Sequence, residues 1–467
     1  MRVTEASPDT PSASETAGAQ PAWPATASRG LEHLKALLRF DTTNPPGDER
    51  PAAEWVAEQL RASGLEPEIL EGSPGRANVV CRLKATAKGG GEDGPLLLAG
   101  HLDVVPADPR HWSVPPFEAQ ERGGYLYGRG AIDMKNHVAA CLLMMQLLAE
   151  HRVPLRRDII FAAVADEEEG CRWGSRYLVE QHPEKVRAAW MIGEIGGYTL
   201  YSKGVCYYPI QIAEKGRVLI RMTAKGEPGH GSIPRKGSAV TRLGEALTRL
   251  GRSRLPFHKT RAMERFLTQM AQTQPPPNRW ALPKLLDPRL AGPLLDHAVP
   301  KDQAASMAAL LANTASATIL EGSNKFNLIP SQASALLDGR TLPGQTPQDL
   351  LRELRALLGD DLDFEVLEEF PPVEQPDPDS PLYRLMCDAL KRHDPQGVPL
   401  PYMITGFTDA QYFSRLGARC YGFSPHRFPA QDNIKFFDLF HGHNERIHVE
   451  GYQWGLKVLW DVVRGFV

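Results

Sequence analysis

The sequence has no Cys-x-x-Cys pair, no block of Lys and Arg, no internal repeat and no long hydrophobic run. Each absence excludes something. The six cysteines (Cys81, Cys141, Cys171, Cys206, Cys387 and Cys420) are scattered singly, which fits reduced thiols rather than a disulfide framework. No apolar stretch approaches the ~20 residues that a membrane-spanning helix requires. The net charge is only −3, and without a basic block neither nucleic acid nor an anionic membrane is an expected partner. The N-terminus lacks the charged-then-apolar layout of a secretory signal, so a cytoplasmic location is expected.

What is present describes a globular chain: 467 residues, 42% apolar and 23% charged, too long for one ordinary core. Residues 1–27 are rich in Pro, Ala, Ser and Thr and read as a disordered leader. Helical periodicity marks 30–40 and 51–63, around a turn-rich Asp41-Thr-Thr-Asn-Pro-Pro-Gly. Strands are expected near 78–83, 96–101 and 158–165, with a long helix over 134–151 between the last two. That alternation predicts an α/β sheet with helices on its faces. The order then changes to strand (217–224), helix (238–251), strands (316–321 and 334–340), helix (346–358) and strand (363–368). This β-α-β-β-α-β order is the ferredoxin-like unit. The expectation is a catalytic domain in two parts, 28–213 and 370–467, with an α+β domain inserted over 214–369. Residues 253–313, with Pro275-Pro-Pro277 and a helix near 303–311, are too long for a loop and read as a helical elaboration of the insert.

Chemistry-bearing residues gather at expected strand ends, where open α/β sheets collect their ligands. The strand Leu96-Leu-Leu-Ala-Gly-His101 stops on an imidazole, with Asp103 two residues later. Gly128-Arg-Gly-Ala-Ile-Asp133 places a carboxylate at the mouth of the long helix, where it could equally cap that helix. Asp166-Glu167-Glu168-Glu169 follows an apolar strand, and four consecutive acids repel one another unless solvent or a cation takes up the charge. Trp190-Met-Ile-Gly-Glu194 is another apolar strand ending in a carboxylate. Near the C-terminus, His441 and His443 in HGHNE share one side of an extended segment, and local geometry decides between them. Two histidines with three or four carboxylates and no cysteine suit two borderline divalent ions such as Zn²⁺.

Eight segments together resemble one family: GHLDVVP, GRGAIDMKN, ADEEEG, GEIGG, GEPGHGSIP, FNLIPSQASALLDGR, TGFTDA and HGHNE. They resemble the co-catalytic zinc metallopeptidases and deacylases related to carboxypeptidase G, aminoacylase, acetylornithine deacetylase and succinyl-diaminopimelate desuccinylase. The resemblance spans roughly residues 30–450, in the family's order. It implies a mixed-sheet, zinc-exopeptidase-like α/β catalytic domain with an inserted ferredoxin-like dimerisation (lid) domain. It also implies two Zn²⁺ per subunit, with Co²⁺ or Mn²⁺ as substitutes. Asp133 would bridge the ions, His101 and Glu194 would complete one site, and Glu168 and His441 the other. Glu167 would be the general base acting on a metal-bridging hydroxide, and Asp103 would fix the tautomer of His101. The third Glu of ADEEEG leaves open a shift of base and ligand to Glu168 and Glu169. The Asp133–Met134 peptide bond would be cis.

In a homodimer formed through the insert, His230 would reach the partner's site to stabilise the oxyanion. Arg340 and Asn327 would hold the substrate carboxylate and adjoining polar atoms, while Gly406 to Asp409, including Thr408, would wall the scissile group. The expected activity is hydrolysis of an amide bond next to a free carboxylate, in a dipeptide, a C-terminal peptide residue or an N-acyl amino acid. The alternative is a catalytically silent dimeric protein of the same fold that binds metal or amino acids.

Overall fold

Two adjacent strands show how this sequence builds its main sheet. Along Leu96–His101, Leu96 and Leu98 enter one core while Leu97 and Ala99 enter another. Along Ile159–Val164, Ile159, Phe161 and Ala163 take the first side and Ile160, Ala162 and Val164 the second. Side chains alternate across a strand, so an unbroken apolar run of this kind belongs to a sheet covered on both faces. The computed structural model describes residues 21–87, 94–375 and 379–467.

The sheet has ten strands and is mixed. Its main path runs Glu68–Ser73, Arg76–Leu83, Ile159–Val164, Leu96–His101, Trp190–Gly193, Arg419–Gly422, Val205–Glu214 and Val373–Glu374. The four strands Ile159–Val164, Leu96–His101, Trp190–Gly193 and Arg419–Gly422 are parallel, so their carboxyl ends open on one edge. Helices Trp23–Leu38, Arg50–Ala62, Lys135–Glu150 and Val449–Phe466 contribute the larger core. Lys135–Glu150 is buried nearly all round, which is why its sequence is apolar on every face.

A second, four-stranded antiparallel sheet has the order Thr314–Glu321, Gln332–Thr341, Gly216–Lys225, Leu362–Phe370. Helices Ala239–Arg252 and Pro347–Leu358 pack on it through Leu243, Leu250, Leu350 and Leu354. Its β-α-β-β-α-β order and strand arrangement are ferredoxin-like. The α/β class with an inserted α+β unit is therefore the observed fold. Among the described residues, no helix is long and apolar enough to cross a membrane.

Two expectations change. The leader expected over 1–27 gives way to helix at Trp23, with Thr26 and Ala27 buried; residues 1–20 lie outside the described residues. The 253–313 stretch is helical, but it does not simply thicken the insert. Met263, Phe266 and Leu267 of helix Arg261–Thr273 join the core of the large sheet, where Phe266 faces Tyr402 at 5.7 Å and Tyr207 meets Thr273 at 2.6 Å. The same stretch meets the insert through Leu255, in the core of the small sheet, and through His258, whose Nε2 lies 2.5 Å from Glu353 of helix Pro347–Leu358. It thus bridges both sheets, a placement that helical periodicity cannot reveal because an amphipathic face does not name its partner.

Candidate metal centre

The parallel strand ends deliver the polar groups. His101 Nε2 lies 3.1 Å from Asp133 Oδ1 and 3.7 Å from Glu194 Oε2. His441 Nε2 lies 3.1 Å from Asp133 Oδ2 and 3.2 Å from Glu168 Oε2. Asp133 therefore turns one oxygen to each imidazole and belongs to two ligand groups, His101–Asp133–Glu194 and Asp133–Glu168–His441, each able to hold a metal ion. It does not cap the following helix: the N-cap is Met134, without a side-chain cap, and the Asp133–Met134 peptide is cis. Left-handed backbone at Asp166 (φ 66°), Ile195 (φ 60°) and His441 (φ 52°) turns the chain sharply beside Glu167, Glu194 and the His441 ring itself.

Glu167 is buried, with Oε2 3.9 Å from His101 Nε2. Burial and the neighbouring Glu194 carboxylate push its carboxyl well above the ordinary range. Burial likewise raises Glu168 to about 7 and Glu194 to about 8. Burial alone would lower His101, but hydrogen bonds to Asp103, Asp133 and Glu194 more than reverse it. Hydrogen bonds to Asp133 and then Glu168 raise His441 to about 10. Four carboxylates thus share two imidazoles, of which His101 is buried and His441 is exposed, and Glu168 Oε1 is buried without a partner. That donor set is short of positive charge and fits two divalent cations.

The register alternative places Glu169 in the site, yet Glu169 is exposed while Glu168 faces His441. His443 packs on the His111 ring at 4.8 Å, whereas His441, although its own ring is exposed too, turns Nε2 to Asp133 and Glu168. Asp103 sits beside His101 as expected, with a different division of labour. Its backbone carbonyl is the nearer acceptor for His101 Nδ1, at 2.9 Å, while Oδ1 is 3.5 Å away. The carboxylate instead accepts the backbone N–H groups of Glu167 (3.0 Å) and Glu168 (3.1 Å), and so holds the acidic loop. Asn44 Nδ2 donates to both Asp103 and Asp166, and Arg76 pairs with Asp166 and Glu49 behind them.

Glu445 was not singled out by the sequence, although it lies in HGHNE. It is fully buried and accepts from Ile132 N (2.7 Å), Asp133 N (3.0 Å), Gly130 N (3.1 Å) and Arg129 NH1 (2.6 Å). One carboxylate thereby ties the loop carrying His441 to the backbone of Asp133. Glu445→Ala is expected to cost about 3–5 kcal/mol, because it leaves the buried Arg129 charge uncompensated. Urea unfolding measures this, and a loss below about 1 kcal/mol would mean that Arg129 finds another partner.

The other expected residues lie outside the two ligand groups. His230 and Asn327 meet on a two-stranded ladder of the insert, where Gly231 N donates to the Asn327 carbonyl at 2.8 Å. Both side chains are exposed, and His230 Nδ1 lies 2.8 Å from Ser232 Oγ. Neither belongs to the ligand groups of its own chain. Arg340 is engaged by Asp338 through Nε (2.7 Å) and NH2 (3.0 Å), leaving NH1 buried without a partner. Gly406 is exposed, whereas the Thr408 hydroxyl is turned inward and donates to Glu214 at 2.9 Å. The Thr408 side chain thus anchors its own loop.

The chain is similar to known proteins over most of its length. The profile of peptidase family M20/M25/M40 matches residues 97–465. The N-fatty-acyl-amino acid synthase/hydrolase PM20D1 of Homo sapiens is 30% identical over 381 residues, covering 79% of this chain and 74% of that protein. Aminoacylase-1A of Rattus norvegicus is 28% identical over 441 residues, covering 91% of this chain and 92% of that protein. Among solved structures, an M20 family metallo-carboxypeptidase from Sulfolobus solfataricus superposes with a TM-score of 0.65 at 20% identity. The match covers 94% of this chain and 99% of that one, a likeness of fold.

Proposed function

Because the chain belongs to peptidase family M20/M25/M40, we propose that it is a di-zinc amidohydrolase that cleaves N-acyl amino acids at the amide bond. The observation that carries this reading is Asp133, set between two His–carboxylate groups with Glu167 beside them. The choice of acyl amino acids over peptides follows two relatives, an N-fatty-acyl-amino acid synthase/hydrolase and an aminoacylase.

His101 and Glu194 would hold one ion, Glu168 and His441 the other, and Asp133 both. Ions held there would polarise the scissile carbonyl and acidify the attacking water. Glu167 takes the proton of that water and returns it to the leaving nitrogen. Arg340 offers a planar donor set to the substrate carboxylate, which would displace Asp338. We further propose a homodimer joined through the insert, in which His230 of the partner subunit completes the oxyanion site.

The test is hydrolysis by the zinc-loaded protein of N-acyl amino acids set beside free dipeptides. N-acyl amino acids are expected to be cleaved preferentially. Cleavage confined to dipeptides would replace this reading by a dipeptidase, and no cleavage of either with metal bound would leave the silent binding protein.

A further inference from the structure

We propose, resting on the acyl-amino-acid reading above, that an aromatic tract beside His441 is the subsite for the acyl chain and selects long apolar chains. The tract starts at Phe440, the residue before His441. Phe440 lies 4.9 Å from Phe436 and 6.0 Å from Phe437 between ring centroids. Phe437 lies 5.9 Å from Tyr198 and 6.5 Å from Tyr402, and Tyr402 faces Phe266 of the helical insertion at 5.7 Å. A continuous series of rings therefore leads from a candidate metal ligand to helix Arg261–Thr273.

Phe437 carries the inference. Its neighbours Phe436 and Tyr198 are buried, yet Phe437 itself is 50% exposed. A solvent-exposed aromatic that continues a packed ring cluster is apolar surface awaiting cover. On the other ligand group the residue following Glu194 is also apolar: Ile195 is partly buried against the same core. The chemistry of the surface identifies what would cover it. Phenyl rings cannot replace the hydrogen-bond partners that the backbone N–H and C=O groups of a peptide must keep when buried. A methylene chain makes no such demand and gains from each group it removes from water. The acyl portion of an N-acyl amino acid therefore suits this tract, and the peptide portion of a carboxypeptidase substrate does not. Because the tract adjoins His441, a chain lying on it would be continuous with a carbonyl at the metal centre.

The experiment compares wild type with Phe437→Ala and Phe437→Leu, using N-acetyl-, N-octanoyl- and N-oleoyl-leucine. Phe437→Ala is expected to lower kcat/KM for the oleoyl substrate by about 10-fold, the scale of one lost apolar contact in a specificity pocket. The acetyl substrate should be unaffected, and Phe437→Leu should fall between. Titration calorimetry of N-oleoyl-leucine into the metal-free protein should show the same loss of affinity, independently of turnover. Position 437 is half exposed, so both variants are expected to fold as wild type. Identical chain-length profiles and identical binding in wild type and variants would overturn the tract alone. No hydrolysis of any N-acyl amino acid by wild type would instead overturn the functional reading. A changed oligomeric state with an unchanged chain-length profile would assign the tract to a contact between copies and also overturn it.

Discussion

Glu167→Gln is expected to lower turnover by about two to four orders of magnitude while the metal content stays unchanged, the range found for removal of a general base. The expectation follows from what Glu167 touches. It lies 3.9 Å from His101 Nε2, yet it belongs to neither ligand group. Its backbone N–H is fixed by Asp103 Oδ1, so the loop keeps its shape when the side chain becomes an amide. Glutamine fills the same volume but cannot accept and return a proton. Glu168→Gln should behave differently, because Glu168 faces His441 at 3.2 Å within a ligand group, and metal should be lost together with activity. Glu169→Gln should be nearly silent, since that side chain is exposed. Steady-state rates with elemental analysis of the three variants separate the assignments. Full activity in Glu167→Gln, or metal loss in Glu169→Gln, would transfer the base and ligand roles one residue along.

The second large effect is expected at Asp133. Asp133→Asn should weaken both metal sites by more than about 100-fold, since loss of a residue that merely orients a ligand already costs 10- to 100-fold. An amide has one acceptor oxygen, whereas the Asp133 carboxylate serves His101 with one oxygen and His441 with the other. Both metals should therefore be lost together, and activity with them. Retention of one full metal equivalent would show that the two groups bind independently.

The metal-free protein carries a pH signature of the same contact. Burial alone would raise the Asp133 carboxyl, but the two imidazoles hold it well below the usual range. His441 is raised from 6.5 to about 10 in return, first by Asp133 and then by Glu168. A histidine raised by folding binds more protons in the folded state, so its contribution is complete below pH 6.5 and is lost as pH climbs toward 10. Metal-free wild type should accordingly exceed metal-free Asp133→Asn in thermal stability most clearly at pH 6, with the gap closing toward pH 10. A gap that does not vary with pH would remove the His441–Asp133 pair as its source.

Much of the architecture was legible because local chemistry already implied it. The apolar runs ending in His101, in Asp166-Glu167-Glu168 and in Glu194 are buried strands that stop where polarity begins, and parallel strands put such ends on one edge. The amphipathic order of the insert was likewise readable from period alone. Two long strands were not. Val205–Glu214 contains Pro209, and Val398–Ile404 contains Pro399 and Pro401, so both look broken in sequence. They pair in parallel with each other, and Val398–Ile404 has no second strand beside it among the described residues, so its prolines leave no neighbour's acceptor unmet there.

The sequence by itself therefore determined which residue types could meet at the metal centre, because strand periodicity and the chemistry of His and carboxylate side chains are local properties. Only the tertiary structure decided which partner each one takes. Asp133 serves two imidazoles rather than a helix end, and the Asp103 carboxylate holds the acidic loop while its carbonyl meets His101. Glu445 reaches across 312 positions to the Asp133 amide. Such choices depend on distances between segments far apart in the chain, and hydrogen bonds decay over fractions of an ångström. A linear pattern carries the donors and acceptors, and the fold alone sets those separations.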